Sequence, residues 1–189
     1  MAGEKKLLRA EIRARRSAMS EALREAMTPA MTDHFEQLVN ETGAKTIACF
    51  LSTPTEPQTR PFITWAIESG LTVLLPVSRE DGELDWSHAD LDGEETTGLH
   101  NMPEPSGDRV GTDALNTADL ILIPAAAVDK NGVRMGWGKG YYDKALARLR
   151  KKVPVYAVIF DSELVEKLPR EDHDHPVTGV VTPSQITAF

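Results

Sequence analysis

The chain is 189 residues long, 41% hydrophobic and 26% charged, with a formal net charge of −8. That length supports a buried core, with one domain over 1–189 as the default and two small ones as the alternative, and the composition is that of a soluble globular protein. No apolar run approaches a membrane span, no secretory signal opens the chain, the lone Cys49 excludes an intrachain disulfide framework and fits a reducing cytoplasm, and the acidic balance argues against general nucleic-acid binding.

Residues 1–17 carry six Lys/Arg against two Glu, while 80–119 carry twelve acids against Arg109 alone. A basic arm on an acidic body suits either contact with a small anion or a solvated helix face. Leu8, Ile12, Met19 and Leu23 recur at helical spacing and predict a helix over 3–27. Lys5, Arg9, Arg13 and Arg16 form a second stripe beside the apolar one, placed to lean into a neighbouring site. A second helix over 29–41 is expected to begin at Pro29. "KTIACFLS" predicts a buried strand over 45–51, with Cys49 an inert core residue. "TRPFITWAIESG" predicts a helix capped by Thr59 and stopped by Gly70. "LTVLLP" gives a strand over 71–75. Residues 80–117 are rich in turn formers and acids, with a short strand at "ELDWSHA". "ADLILIP", 119–123, is the continuous apolar run of a central parallel strand. "YYDKALARLR" reads as a helix, "VPVYAVIF" as a strand over 155–160, "SELVEKLP" as a short helix capped by Ser162, and "VTGVVT" as a strand over 178–182. Buried strands alternating with helices predict an α/β layered fold, with a mainly parallel central sheet flanked by helices. Ligands of such sheets lie beyond the carboxyl ends of the strands, and a glycine-rich loop follows "LILIP".

That loop, "GVRMGWGKGYYD" over 132–143, matches neither common phosphate-loop pattern. Val133 stands where the P-loop needs glycine, and Tyr141 stands where the dinucleotide fingerprint needs its third glycine. Gly136, Gly138 and Gly140 can still take positive φ and turn successive N–H groups toward one point as an anion nest. The free N–H groups of the next helix, with Arg134 and Lys139, add positive charge suited to a polyphosphate. Asp143 beside this cradle would repel phosphate unless a cation intervened, and Mg²⁺ uses one or two carboxylates plus phosphate oxygens; the plainer role is to stabilise its helix's first turn. Tyr141 is expected to face the cleft beside a heterocyclic substrate, and Tyr142 to be a core aromatic.

"DKNGVRMGWGKGYYDKAL" closely resembles the signature of the 5-formyltetrahydrofolate cyclo-ligase family, also called 5,10-methenyltetrahydrofolate synthetases. "KKLLRAEIRAR", "FLSTPTEPQT", "NMPEP" and "HDHPVTGVVT" resemble its other blocks in the same order, so the likeness covers nearly the whole chain. The resemblance implies one α/β domain, monomeric and cytoplasmic, with small-molecule substrates and no nucleic-acid or membrane partner. It implies ATP- and Mg²⁺-dependent closure of 5-formyltetrahydrofolate to 5,10-methenyltetrahydrofolate with release of ADP and phosphate. An N-formyl oxygen is a poor leaving group; phosphorylating it makes it a good one, and the neighbouring nitrogen then attacks. Such a path needs positioned reactants and charge neutralisation rather than an enzyme nucleophile.

By resemblance, Lys5 and Arg9 contact ATP phosphates. Arg134, Gly136, Trp137, Gly138, Lys139, Gly140, Tyr141 and Tyr142 form the nucleotide loop, with Arg134 and Lys139 catalytic. Asp143 and Asp174 hold Mg²⁺, and Leu51, Glu56, His100 and Tyr141 contact the folate. "EDHDHP" contains His173 and His175; two histidines alone are weak evidence for a transition-metal site, and the stretch is read instead as a loop bordering the active site. The chain departs from the family's pattern at "PAAAVD", at Trp137, and at Thr178, where an acid is common. A nucleotide- or phosphate-binding module without chemistry is the alternative reading.

Overall fold

The computed structural model describes residues 2–172 and 174–189. Helices α1 (Ala2–Ala18) and α2 (Glu21–Thr42) open the chain. The break expected at Pro29 falls instead at Ser20, whose side chain accepts the Leu23 N–H at 3.1 Å and caps α2. Pro29 lies inside α2, where the Thr28 and Thr32 hydroxyls bond back to the carbonyls of Arg24 and Thr28. Burial of Met31, Phe35, Leu38 and Val39 offsets the cost of the proline. Gly43, at φ 65, closes α2 in the left-handed conformation that glycine adopts freely.

Strands β1 (Thr46–Ala48), β2 (Thr72–Ser78) and β3 (Leu84–His88) follow, with helix α3 (Arg60–Glu68) between β1 and β2. Thr59 does not cap α3 with its hydroxyl, which instead donates to the Phe50 carbonyl at 2.5 Å. The acidic stretch forms β4 (Glu95–Thr97) and β5 (Pro103–Pro105), an antiparallel pair, then a 3₁₀ turn over Thr112–Thr117. Next come β6 (Leu120–Pro124), β7 (Ala127–Asp129), β8 (Arg134–Met135) and α4 (Tyr141–Ala147). The chain ends through β9 (Val155–Val158), β10 (Leu164–Val165), β11 (Gly179–Val181) and β12 (Ile186–Ala188).

The main sheet runs β12-β11-β9-β6-β1-β2-β3. Its inner pairings are parallel, and antiparallel β12 and β3 close the two edges. Side chains of β6 alternate: Leu120 and Leu122 pack with Phe35 and Phe62, and Ile121 and Ile123 with Trp86 and Leu146. Both faces are therefore covered by protein, which explains the unbroken apolar run. From β1 the chain steps one way to β2 and later returns to place β6 on the other side. This switch point opens a crevice beyond the carboxyl ends of β1 and β6.

The glycine loop does not follow β6 directly. The β7–β8 hairpin intervenes and joins β10 in a small second sheet, β10-β7-β8. Asp129, 1% exposed, fixes the hairpin: Oδ1 accepts the N–H groups of Asn131 and Val133, and Oδ2 accepts that of Leu168. The segment read as a helix after Ser162 is a single 3₁₀ turn, Asp161–Glu163, running into β10. Glu163 folds back to accept the Phe160 N–H at 2.9 Å, and Leu164 and Val165 pair with Val128 and Asp129. Helix α1 covers this sheet through Ile12, which packs with Ala126, Ala127, Val133 and Met135. Among the described residues no helix is long and apolar enough to cross a membrane.

Candidate active site

The crevice is a cleft of about 620 Å³, a size suited to small molecules. Every site residue singled out from the sequence, from Lys5 to Asp174, lines it. One wall is α1, on which spacings of four, four and three residues put Lys5, Arg9, Arg13 and Arg16 on one face. Lys5, 7% exposed, is held by Glu171 at 3.2 Å and Asp174 at 3.3 Å. Arg9 donates from Nε to the Gly136 carbonyl at 2.7 Å. Arg13 and Arg16 lie over the Trp137 ring at 5.2 and 5.1 Å, within cation–π range.

The loop itself is shaped differently from the expected alternating nest. Gly138 (φ 93) and Gly140 (φ 74) have positive φ, but Gly136 does not. Gly136 gives room to the Arg134 guanidinium: a Cβ there would lie 2.7 Å from Nη1 and push it aside. Arg134 is 6% exposed, and it donates to the Pro124 carbonyl at 3.3 Å and to Asp143 Oδ1 at 3.0 Å. Its Nε is buried with no hydrogen-bond partner. Lys139 is exposed at the lip.

The other wall is built from the segment after β1 and the turn before β5. Glu56, 7% exposed, accepts the Thr53 N–H at 2.8 Å. Burial pushes its carboxyl above the ordinary range, against the lowering effects of the Thr53 N–H and the Arg16 charge. Burial, then the charge of Glu56, also pushes the Tyr142 hydroxyl up, and the ring packs at the edge of the core as expected. Tyr141 does face the cleft; its hydroxyl donates to the Arg79 carbonyl at 3.1 Å and lies 3.4 Å from His100 Nε2. His100 and Asn101 hold left-handed backbone (φ 56 and 60), uncommon outside glycine. Cys49 is buried and its thiol pushed up to about 12, so it is no nucleophile at neutral pH.

Among the described residues no three His, Cys, Asp or Glu converge as a metal cage. The donor set nevertheless fits Mg²⁺, which needs only one or two carboxylates when phosphate oxygens complete its shell. Asp143 and Asp174 both reach the cleft, Asp143 paired with Arg134 of its own loop and Asp174 with Lys5 of α1. His173 lies outside the described residues. Thr178 is placed away from the cleft; its Oγ1 accepts the Val155 N–H at 2.9 Å and ties β11 to β9. Arg13, Arg16, Glu104 and Glu171 also line the cleft and were not singled out from the sequence as site residues. The two arginines were legible as part of the cationic stripe. Glu104 had only its place in "NMPEP" as a signal, and Glu171 only its place at the head of "EDHDHP".

A model of the 5-formyltetrahydrofolate cyclo-ligase family matches residues 1–183. The chain is 36% identical to the 5-formyltetrahydrofolate cyclo-ligase of Escherichia coli K12, covering 76% of this chain and 80% of that protein. It is 33% identical to that of Mycolicibacterium smegmatis, covering 75% of each, and 30% identical to that of Mus musculus, covering 94% and 92%. Among solved structures, the 5,10-methenyltetrahydrofolate synthetase of Aquifex aeolicus superposes with a TM-score of 0.81 at 26% identity, covering 97% of this chain and 92% of that one.

Proposed function

The chain belongs to the 5-formyltetrahydrofolate cyclo-ligase family, whose ATP-dependent ligases convert 5-formyltetrahydrofolate to 5,10-methenyltetrahydrofolate, and from that premise we propose how its cleft performs the reaction. The observation that carries the assignment of roles is the meeting of α1 with the glycine loop: Arg9 bonds Gly136 at 2.7 Å, in the same cleft as the buried carboxyl of Glu56. Lys5, Arg9, Arg134 and Lys139 bind the triphosphate, with Gly136, Gly138 and Gly140 letting the backbone approach it. Trp137 and Tyr142 back the nucleotide side. Leu51, His100 and Tyr141 form the folate wall, and Glu56 bonds the pterin's ring nitrogens.

The formyl oxygen takes the terminal phosphoryl group of ATP, and ADP leaves. The neighbouring N10 attacks the formyl carbon and loses its proton, and phosphate departs with the formyl oxygen. Arg134 and Lys139 neutralise charge on the transferred group, which stays electron-rich throughout. Asp143 and Asp174 would hold Mg²⁺, which supplies further neutralisation of the phosphate oxygens when bound. All these groups come from one chain, so one copy can supply the whole site; we read the chain as a single domain over 1–189, active as a monomer in the cytoplasm on small-molecule substrates.

The test couples ADP release to the absorbance of the methenyl product. Both should depend on 5-formyltetrahydrofolate and on Mg²⁺. ATP binding without chromophore formation from fresh substrate would overturn the assignment in favour of a binding module.

A further inference from the structure

Glu104 has no part in the scheme above, yet it lines the same cleft and is 6% exposed. Its Oε1 accepts the Ser78 N–H at 2.8 Å. Its Oε2 has no hydrogen bond among the described residues and no cation beside it, and it is not among the unpartnered atoms sealed from solvent. One oxygen is tied to the backbone and the other stays open to the cleft, which fixes the carboxylate in a position to accept from a bound ligand. The backbone is shaped to seat it. A Cβ on Gly98 would fall 2.0 Å from the carboxyl carbon and 2.1 Å from Oε2, so the carboxylate lies flat against a residue with no side chain. The Gly98 N–H donates to the Met102 carbonyl at 2.8 Å and closes the turn that carries His100. Pro76, Leu84, Met102 and Pro103 line the cleft with it as an apolar surface.

We propose that Glu104 reads the donor edge of the pterin, its Oε2 accepting from the N3–H or 2-amino group of the 2-amino-4-oxopyrimidine ring. A flat heterocycle with adjacent N–H donors is what a carboxylate at the end of an apolar slot selects. This leaves Glu56 to the remaining ring nitrogens, and it rests on the folate reading given above.

Glu104→Gln tests it. The amide oxygen can go on accepting from Ser78, while an N–H turns toward the substrate's own N–H. The KM for 5-formyltetrahydrofolate should rise roughly 10- to 100-fold, as for loss of a hydrogen bond to a charged group, with the KM for ATP unchanged. A 2-desamino analogue of the substrate should bind the wild type about tenfold more weakly than the substrate does, and bind E104Q no more weakly. Glu104→Asp keeps the charge with a shorter reach and should restore part of the discrimination; it carries the test if E104Q fails to fold. Equal rises in both KM values, or discrimination intact in the variants while the wild type turns over, overturn the assignment. A wild-type enzyme that forms no methenyl product overturns the folate reading instead.

Discussion

Arg16 and Arg134 are two buried arginines in the wall of one cleft, and their surroundings differ. Arg16 is tightly held. Its Nε and Nη2 each meet an oxygen of Glu163 at 2.7 Å, Nη2 also meets the Ala125 carbonyl, and its plane lies between Trp137 and Phe160. Arg134 is under-used. Its carboxylate partner Asp143 is a quarter exposed, its carbonyl bond is long at 3.3 Å, and its Nε has no partner. A guanidinium gripped through two nitrogens by a buried carboxylate holds a fold together. One whose carboxylate partner is partly exposed at a cavity wall can exchange that partner for the anionic oxygens of a ligand.

Removing each arginine tests that contrast. Arg16→Ala strands the Glu163 carboxylate, 2% exposed, and should cost about 3–5 kcal/mol in chemical denaturation. Replacing both partners by apolar residues of similar size should return most of it, and wild-type stability in R16A would remove the structural half of the comparison. Arg134→Ala should lower kcat by about 10²–10³-fold while the unfolding midpoint moves much less than for R16A. Equal losses of stability in the two variants would erase the distinction. The smallest effect comes from Glu56, whose charge Arg16 only partly favours against burial. Its folded pKa is raised, so the folded state holds a proton that the unfolded state releases. Stability should therefore fall as pH rises from the ordinary carboxylate range through the raised folded value. Glu56→Gln should abolish that slope, and a slope unchanged in E56Q would assign it to other groups.

The sheet was legible because its strands are buried on both faces, and runs such as "LILIP" then carry no polar interruption. The helix break was not. Leu8 to Leu23 keep one helical period across Ser20, and the cap that ends it is a single hydroxyl, while the more conspicuous Pro29 is absorbed into α2. "SELVEKLP" reads as a helix by propensity, but Glu163 is claimed by Arg16 and Leu164–Val165 by β7, contacts between residues far apart in the chain. In the site, the motif located the loop, but Gly136 has no positive φ and instead leaves room beside the Arg134 guanidinium, a contact the spacing of glycines does not reveal. Glu104 escaped notice because an acid between two prolines has the look of a solvated turn until Ser78 and Gly98 are seen around it.

The placement of α1 has a consequence for how the molecule comes into being. Arg16 is separated from Ala125 by 109 positions and from Glu163 by 147. During synthesis on the ribosome the first helix emerges long before either partner, so its cations must remain hydrated while β1 and β2 already have each other to pair with. The catalytic cavity is thus among the last parts to close, and a nascent chain arrested before β10 would carry most of a sheet and none of the enzyme.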